Sequence, residues 1–203
     1  MLFKEIQGDS LVAITVVGLN RKNPSIQNRN FLVDETIAEN IVGFVNTARE
    51  KFNHLTVNNI FRSVSSSEIE TSNTKSKGIS RHEAGFAIDL NGVGKLNEEE
   101  LGELNQIASD FGLSPLSNQK NDLPHYSINP TSKGYSSLKE SANENKGHFN
   151  NLVNSTRSGG IRTSSLKDKN GTVIGVRFER GSNTTQSQQE FNKLINELIS
   201  NAQ

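Results

Sequence analysis

Three side chains in the middle of the chain are of types that could hold a metal ion. His82 and Asp89 flank Gly85 and Ala87, small residues that allow a tight turn into a buried strand, so the two ligands can converge. With His125 they would make a His/Asp/His set, which leaves a fourth tetrahedral position for water, as in catalytic zinc sites. The pattern therefore predicts one zinc ion, which lowers the pKa of bound water to about 7.

Two further residues could serve the hydrolysis of an amide bond at such a centre. Asp122 is the candidate general base, because a carboxylate near the bound water can take its proton and pass it to the leaving amine. Pro124 separates Asp122 from His125, which predicts a junction from loop to strand instead of a shared helix face. Arg62 closes a predicted strand, where its guanidinium could hold a carboxylate or stabilise an oxyanion. Asp122 and Arg62 are thus the candidate catalytic residues.

The spacing of these residues resembles a known signature. The pattern Ser-x-His-x-x-Gly-x-Ala-x-Asp over residues 80–89, followed by Asp-x-x-His over 122–125, is similar to that of the VanY/VanX-type LAS zinc peptidases. This family contains D-alanyl-D-alanine carboxypeptidases and phage L-alanyl-D-glutamate endolysins. The resemblance covers roughly residues 34–128. It implies zinc ligands and a general base at the positions already singled out, and substrate contacts from Arg62 and Ser80.

The resemblance also sets expectations for activity. It implies a metallopeptidase, a cell-wall hydrolase that cuts amide bonds in the stem peptides of bacterial peptidoglycan. Asp122 stands where many carboxypeptidases of the group have Glu, which favours an L-alanyl-D-glutamate endopeptidase. Two alternatives stay open: a D,D-carboxypeptidase of the same family, and a non-catalytic zinc-containing binding module, as in hedgehog signalling domains of the same fold.

The spacing of apolar residues predicts the helices and strands that position these side chains. The resemblance implies an α+β fold, a small antiparallel LAS/hedgehog-like sheet with helices on one side, within a peptidase domain at 1–130 whose motif core is 34–128. A hairpin and helix follow in a C-terminal extension, 131–203, of unknown role. The pattern predicts strands at 11–19, 55–61, 85–90 and 125–128, helices at 34–52, 97–111 and 191–199, and a hairpin with strands at 161–166 and 172–178.

Composition narrows the functional classes. The chain has 22 basic and 22 acidic residues, which argues against a general nucleic-acid binder, and no cysteine, so a metal needs nitrogen and oxygen ligands. The longest apolar run, 11–19, is too short to cross a bilayer and follows no basic leader, so we expect no membrane partner and no signal peptide. Localisation stays open, although the implied substrate lies in the periplasm or cell wall. If the protein is an antibacterial toxin or effector, an immunity protein is expected as its partner.

Overall fold

The computed structural model describes residues 11–19, 25–63, 79–117, 123–158, 161–180 and 185–202. Within these ranges the chain forms four α-helices and one mixed sheet of eight strands, which confirms the α+β class. The strands are β1 (Leu11–Leu19), β2 (Ile26–Asp34), β3 (Thr56–Asn59), β4 (Ala87–Asn91), β5 (Ser114–Pro115), β6 (His125–Ser127), β7 (Ile161–Lys167) and β8 (Val173–Arg180). The helices are α1 (Ala38–Lys51), α2 (Glu98–Asp110), α3 (Leu138–Ser158) and α4 (Thr185–Ala202).

Strand β1 organises the sheet. It pairs along its whole length with β2, antiparallel, and it also meets β3 in parallel at Gly18 and β8 in antiparallel at Ala13 and Ile14. The main path through the sheet runs β5-β6-β4-β3-β1-β8-β7. The chain passes from β2 through α1 to β3, and this crossover allows β3 to lie parallel to β1. Because the other strand pairs are antiparallel, the sheet is mixed.

The apolar residues of β1 face two different hydrophobic clusters. Val12, Ile14 and Val16 pack with α1, with part of α2 and with the core side of β4, whereas Leu11 and Ala13 pack with α4 and the later part of α3. Successive side chains of a strand point to opposite faces, so a continuous apolar run is what a strand buried on both faces requires. The predicted strand at 11–19 is confirmed, and most of its side chains are buried.

The sheet is larger than the expected one, and its helices are not confined to one side. Helix α4 lies over β2 and β8 on the face opposite α1, and the hairpin β7–β8 extends the same sheet that carries the candidate ligands. Among the described helices, none is both long and apolar enough to span a membrane.

Side chains cap the first turns of two helical segments. Asp34 caps a single 3₁₀ turn, Glu35–Ile37, by accepting a hydrogen bond from the backbone N–H of Thr36 at 3.0 Å, and α1 follows directly. Asn97 and Glu100 form the capping box at the start of α2. Both devices satisfy backbone N–H groups that have no partner inside the first turn of a helix.

Candidate metal centre

Two of the candidate ligands are brought together by the register of neighbouring strands. His125 on β6 lies directly opposite Asp89 on β4, and Asp89 in turn lies opposite Asn59 on β3. Directly opposite residues in antiparallel strands share one face of the sheet. The neighbours of Asp89, Ile88 and Leu90, point instead into the core. The row from β6 to β3 is therefore polar on the face that carries the ligands.

The third ligand comes from the turn that precedes β4. His82 is 1% exposed, and its Nε2 lies 3.0 Å from Asp89 Oδ1 and 3.2 Å from His125 Nδ1. His125 Nδ1 lies 3.1 Å from the same Asp89 oxygen, so the three atoms form a nearly equilateral triangle. In a tetrahedral zinc site with bonds of about 2.0–2.2 Å, ligand atoms stand roughly 3.3–3.5 Å apart. A small expansion of the triangle would fit a zinc-sized ion.

The hydrogen bond at Nδ1 of His82 leaves its Nε2 to face the other two ligand atoms. Its Nδ1 lies 2.5 Å from the carbonyl oxygen of Ile60, and because a carbonyl only accepts, Nδ1 must carry the proton. When the ring carries no second proton, Nε2 presents a lone pair to the carboxylate oxygen of Asp89. Two acceptors at this distance repel each other unless a proton or a metal ion lies between them. A histidine fixed through its other nitrogen to a backbone carbonyl is also the usual arrangement for a metal ligand.

Asp89 is held in its charged form. Burial raises the pKa of its carboxyl, but in the metal-free protein the hydrogen bonds from His125 and His82, and the positive charge of these rings when protonated, outweigh burial and hold the pKa well below its usual range. Its other oxygen, Oδ2, faces Arg62 Nη2 at 3.5 Å. Exposure of the side chains rises from 1% for His82 to 9% for His125 and 15% for Asp89, so solvent reaches the cluster from the carboxylate side.

The turn that carries His82 is held by its neighbours. Ser80, the predicted substrate contact, accepts a hydrogen bond from the backbone N–H of His82 through Oγ at 3.2 Å, and the side chain of Glu83 accepts one from the backbone N–H of Ser80. Arg81 donates to Ser127 Oγ at 2.8 Å and so ties the turn to β6. Gly85 has φ +70°, a left-handed conformation that favours glycine and brings the chain from the turn into β4.

The structure places the candidate residues as follows. His82, Asp89 and His125 converge, and Arg62 lies beside them, three residues beyond the end of β3, with its backbone N–H donating to His82 O at 3.1 Å. Asp122, the candidate base, lies outside the described residues. Pro124 forms a turn immediately before β6, the junction that the sequence predicts.

Asn59 is a site residue that the sequence does not reveal. It is 8% exposed, and its Oδ1 has no hydrogen-bond partner among the described residues. Nε of Arg62 is likewise buried and without a partner in the described part of the chain. Unpartnered buried polar atoms are rare in folded proteins, and each needs an explanation such as a bound group. Asn59 is identified by its position opposite Asp89, and that position is known only from the register of the strands.

The fold and the cluster define the class of site: a buried His/Asp/His group on one face of an α+β sheet that could bind a divalent metal ion. Comparison with known proteins adds no family to this description, since no family model, no curated protein and no solved structure matches the chain.

Proposed function

We propose that the protein is a zinc-dependent peptidase of the LAS type that hydrolyses amide bonds in peptidoglycan stem peptides, at L-alanyl-D-glutamate bonds. The observation that carries the proposal is the triangle of ligand atoms from His82, Asp89 and His125, with sides of 3.0–3.2 Å. The same three positions are the zinc ligands that the signature implies. The convergence of the three side chains in the structure therefore supports the resemblance independently of the sequence pattern.

The fold around the ligands also supports the proposal. The order β3, arginine, long segment, His-bearing turn, β4, α2 and β6 is the order that the resemblance implies for its core. Strands β3, β4, β6 and β5 form a consecutive antiparallel part of the larger sheet, and α1 and α2 pack on its core face. In this proposal these strands are the LAS-like sheet, and the rest of the chain adds to it.

The residues around the ion would share the work of hydrolysis. Zinc held by the three ligands would supply an activated water and polarise the scissile carbonyl. Asp122 would take a proton from the attacking water and deliver it to the leaving amine. Arg62 Nε is a buried donor that a substrate carboxylate or oxyanion would satisfy, and Asn59 Oδ1 is a buried acceptor suited to a peptide N–H. Together these two atoms could recognise both polar ends of a peptide unit.

Digestion of purified peptidoglycan tests this function. Protein loaded with zinc should release new L-Ala and D-Glu ends, identified by mass spectrometry, and protein treated with chelator should release none until zinc is restored. Asp122→Ala should bind zinc and release no fragment. Asp110→Asn, which changes an exposed carboxylate at the end of α2, is the matched control and should digest normally.

The fragments also separate the alternatives. Loss of only the terminal D-Ala identifies a D,D-carboxypeptidase with the same centre. A protein that holds one zinc ion and releases no fragment is a binding module, and the hydrolytic proposal is then wrong. Digestion that persists in folded Asp122→Ala protein overturns the assigned base while leaving the metal centre intact.

A further inference from the structure

A buried network connects α3 to the turn that carries His82. Asn145 on α3 is fully buried, and its side-chain Nδ2 donates two hydrogen bonds. One goes to Oδ2 of Asp34 at 2.9 Å and the other to the carbonyl oxygen of Ala84 at 2.6 Å. Ala84 is two residues from His82, so this amide lies behind the metal centre, in a segment that the family resemblance does not cover.

Asp34 is the other fixed point of the network. Its carboxylate is fully buried and accepts hydrogen bonds from Thr36 and from the hydroxyl of Tyr135, the latter at 2.7 Å. Its backbone N–H donates to Gly85 O at 3.2 Å. The carbonyls of Ala84 and Gly85 are thus both held, one by Asn145 and one by the backbone of Asp34.

We propose that Asn145 is a positioning residue for the metal centre, which holds the turn so that His82 Nε2 meets the other two ligand atoms. The inference rests on the metal centre of the proposed function and does not depend on which bond is cleaved. Without this amide, Ala84 O would be buried with no donor among the described residues, a loss that costs about 1–3 kcal/mol and favours movement of the turn towards water. Because His82 lies on that turn, the movement separates the ligand atoms.

The direct test is the affinity for zinc, measured by competition with a chromophoric chelator. Asn145→Ala and Asn145→Asp should bind zinc roughly 10–100-fold more weakly than the wild type, the range for residues that orient metal ligands. Asn145→Asp buries a second carboxylate beside Asp34, so Asn145→Leu, which has a similar volume and no charge, serves if neither of these variants folds. Asn150→Ala, an exposed asparagine on the same helix, should bind within about twofold of the wild type.

Two further variants separate positioning from stability. Tyr135→Phe removes a hydrogen bond to Asp34 but leaves the bond to Ala84, so it should lower stability with little change in zinc affinity. The double variant Asp34→Asn with Asn145→Asp restores a donor and an acceptor between the two side chains and gives Ala84 no donor. We expect this exchange to recover part of the free energy of unfolding lost in Asn145→Asp, but not the zinc affinity.

Each result decides a different point. Wild-type affinity in folded Asn145→Ala or Asn145→Asp overturns the inference alone, as does recovery of zinc affinity in parallel with stability in the double variant. Wild-type protein that binds no zinc overturns both the inference and the proposed function. Zinc binding with the expected losses but no release of fragments leaves Asn145 as a positioning residue and removes only the peptidase.

Discussion

At the scale of the residue, the central feature of the site is that the lone pairs of ligand atoms face one another at short distance. His82 Nδ1 donates to Ile60 O, so in the neutral ring Nε2 is an acceptor, as is Asp89 Oδ1, and these two atoms lie 3.0 Å apart. A cation between them turns this repulsion into attraction, so the folded state should bind a divalent metal far more tightly than the unfolded chain, in which the ligands are dispersed. Metal binding should therefore raise the free energy of unfolding.

Zinc should raise the thermal stability of the wild type. At a free zinc concentration 100 times the dissociation constant the gain is about 2.7 kcal/mol, which for a chain of this size is a rise in melting temperature of roughly 5–10 °C. Asp89→Asn removes the charge but keeps the shape, so its melting temperature should respond little. Circular dichroism with and without zinc measures both. An equal response from Asp89→Asn would show that zinc binds elsewhere.

Asn59 allows a prediction in which stability and activity change in opposite directions. Asn59→Leu replaces a buried acceptor that has no partner among the described residues with an apolar group of similar size. Stability should rise by about 1 kcal/mol, while kcat/KM for stem peptides should fall about tenfold through loss of one substrate hydrogen bond. Urea unfolding and fragment release provide the two measurements. A loss of stability with full activity would contradict the assignment of Asn59 to substrate.

The sequence predicts part of the site because part of it is local. His82, Asp89 and the glycine between them belong to one short segment, and their spacing alone indicates convergence. Asn59 differs, since its place depends on the bulge that shifts β3 relative to β4. Nothing in residues 56–59 records that shift, so the neighbour of Asp89 becomes visible only in the folded sheet.

At the scale of the element, β1 could be predicted from its local sequence, whereas α3 could not. The run at 11–19 is apolar because both faces of β1 are buried, and this pattern is legible in the sequence. Helix α3 is not predicted, because Ser141 and Asn145 occupy two of its buried positions and weaken the apolar periodicity that indicates a helix. Its buried face serves hydrogen bonding as well as packing, which residue hydropathy does not reveal.

The contact between β1 and β8 should be sensitive to a single methyl group. A Cβ at Gly175 would lie 1.9 Å from the carbonyl oxygen of Ala13, so Gly175→Ala must push β8 away from β1. We expect a loss of about 3 kcal/mol in the free energy of unfolding in urea. Gly147→Ala is the matched control, because this exposed position on α3 has open space and should gain about 1 kcal/mol. Equal stabilities for the two variants would contradict the described β1–β8 contact.

At the scale of the whole molecule, the C-terminal segment is tied to the sheet that carries the ligands. Residues 1–130 carry a net charge of −4 and residues 131–203 one of +4. The ties themselves are specific: Glu197 accepts two hydrogen bonds from Asn30, and Ala202 O accepts one from the backbone N–H of Ser63 at 2.9 Å. The end of α4 thus lies next to the residue that follows Arg62.

These ties predict that the chain unfolds as one cooperative unit. Ile195 on α4 is fully buried, so Ile195→Ala should lower the free energy of unfolding by about 2–5 kcal/mol, whereas Glu190→Ala, exposed on the same helix, should leave it nearly unchanged.

Tyrosine fluorescence reports on the part of the core beneath the ligands, because the chain has no tryptophan and its two tyrosines, Tyr126 and Tyr135, contact Phe44 and Phe86. In urea, fluorescence and circular dichroism should share one midpoint, and Ile195→Ala should move both equally. If circular dichroism shifts while the fluorescence midpoint stays in place, the C-terminal segment is a separate module, and α4 does not support the metal centre.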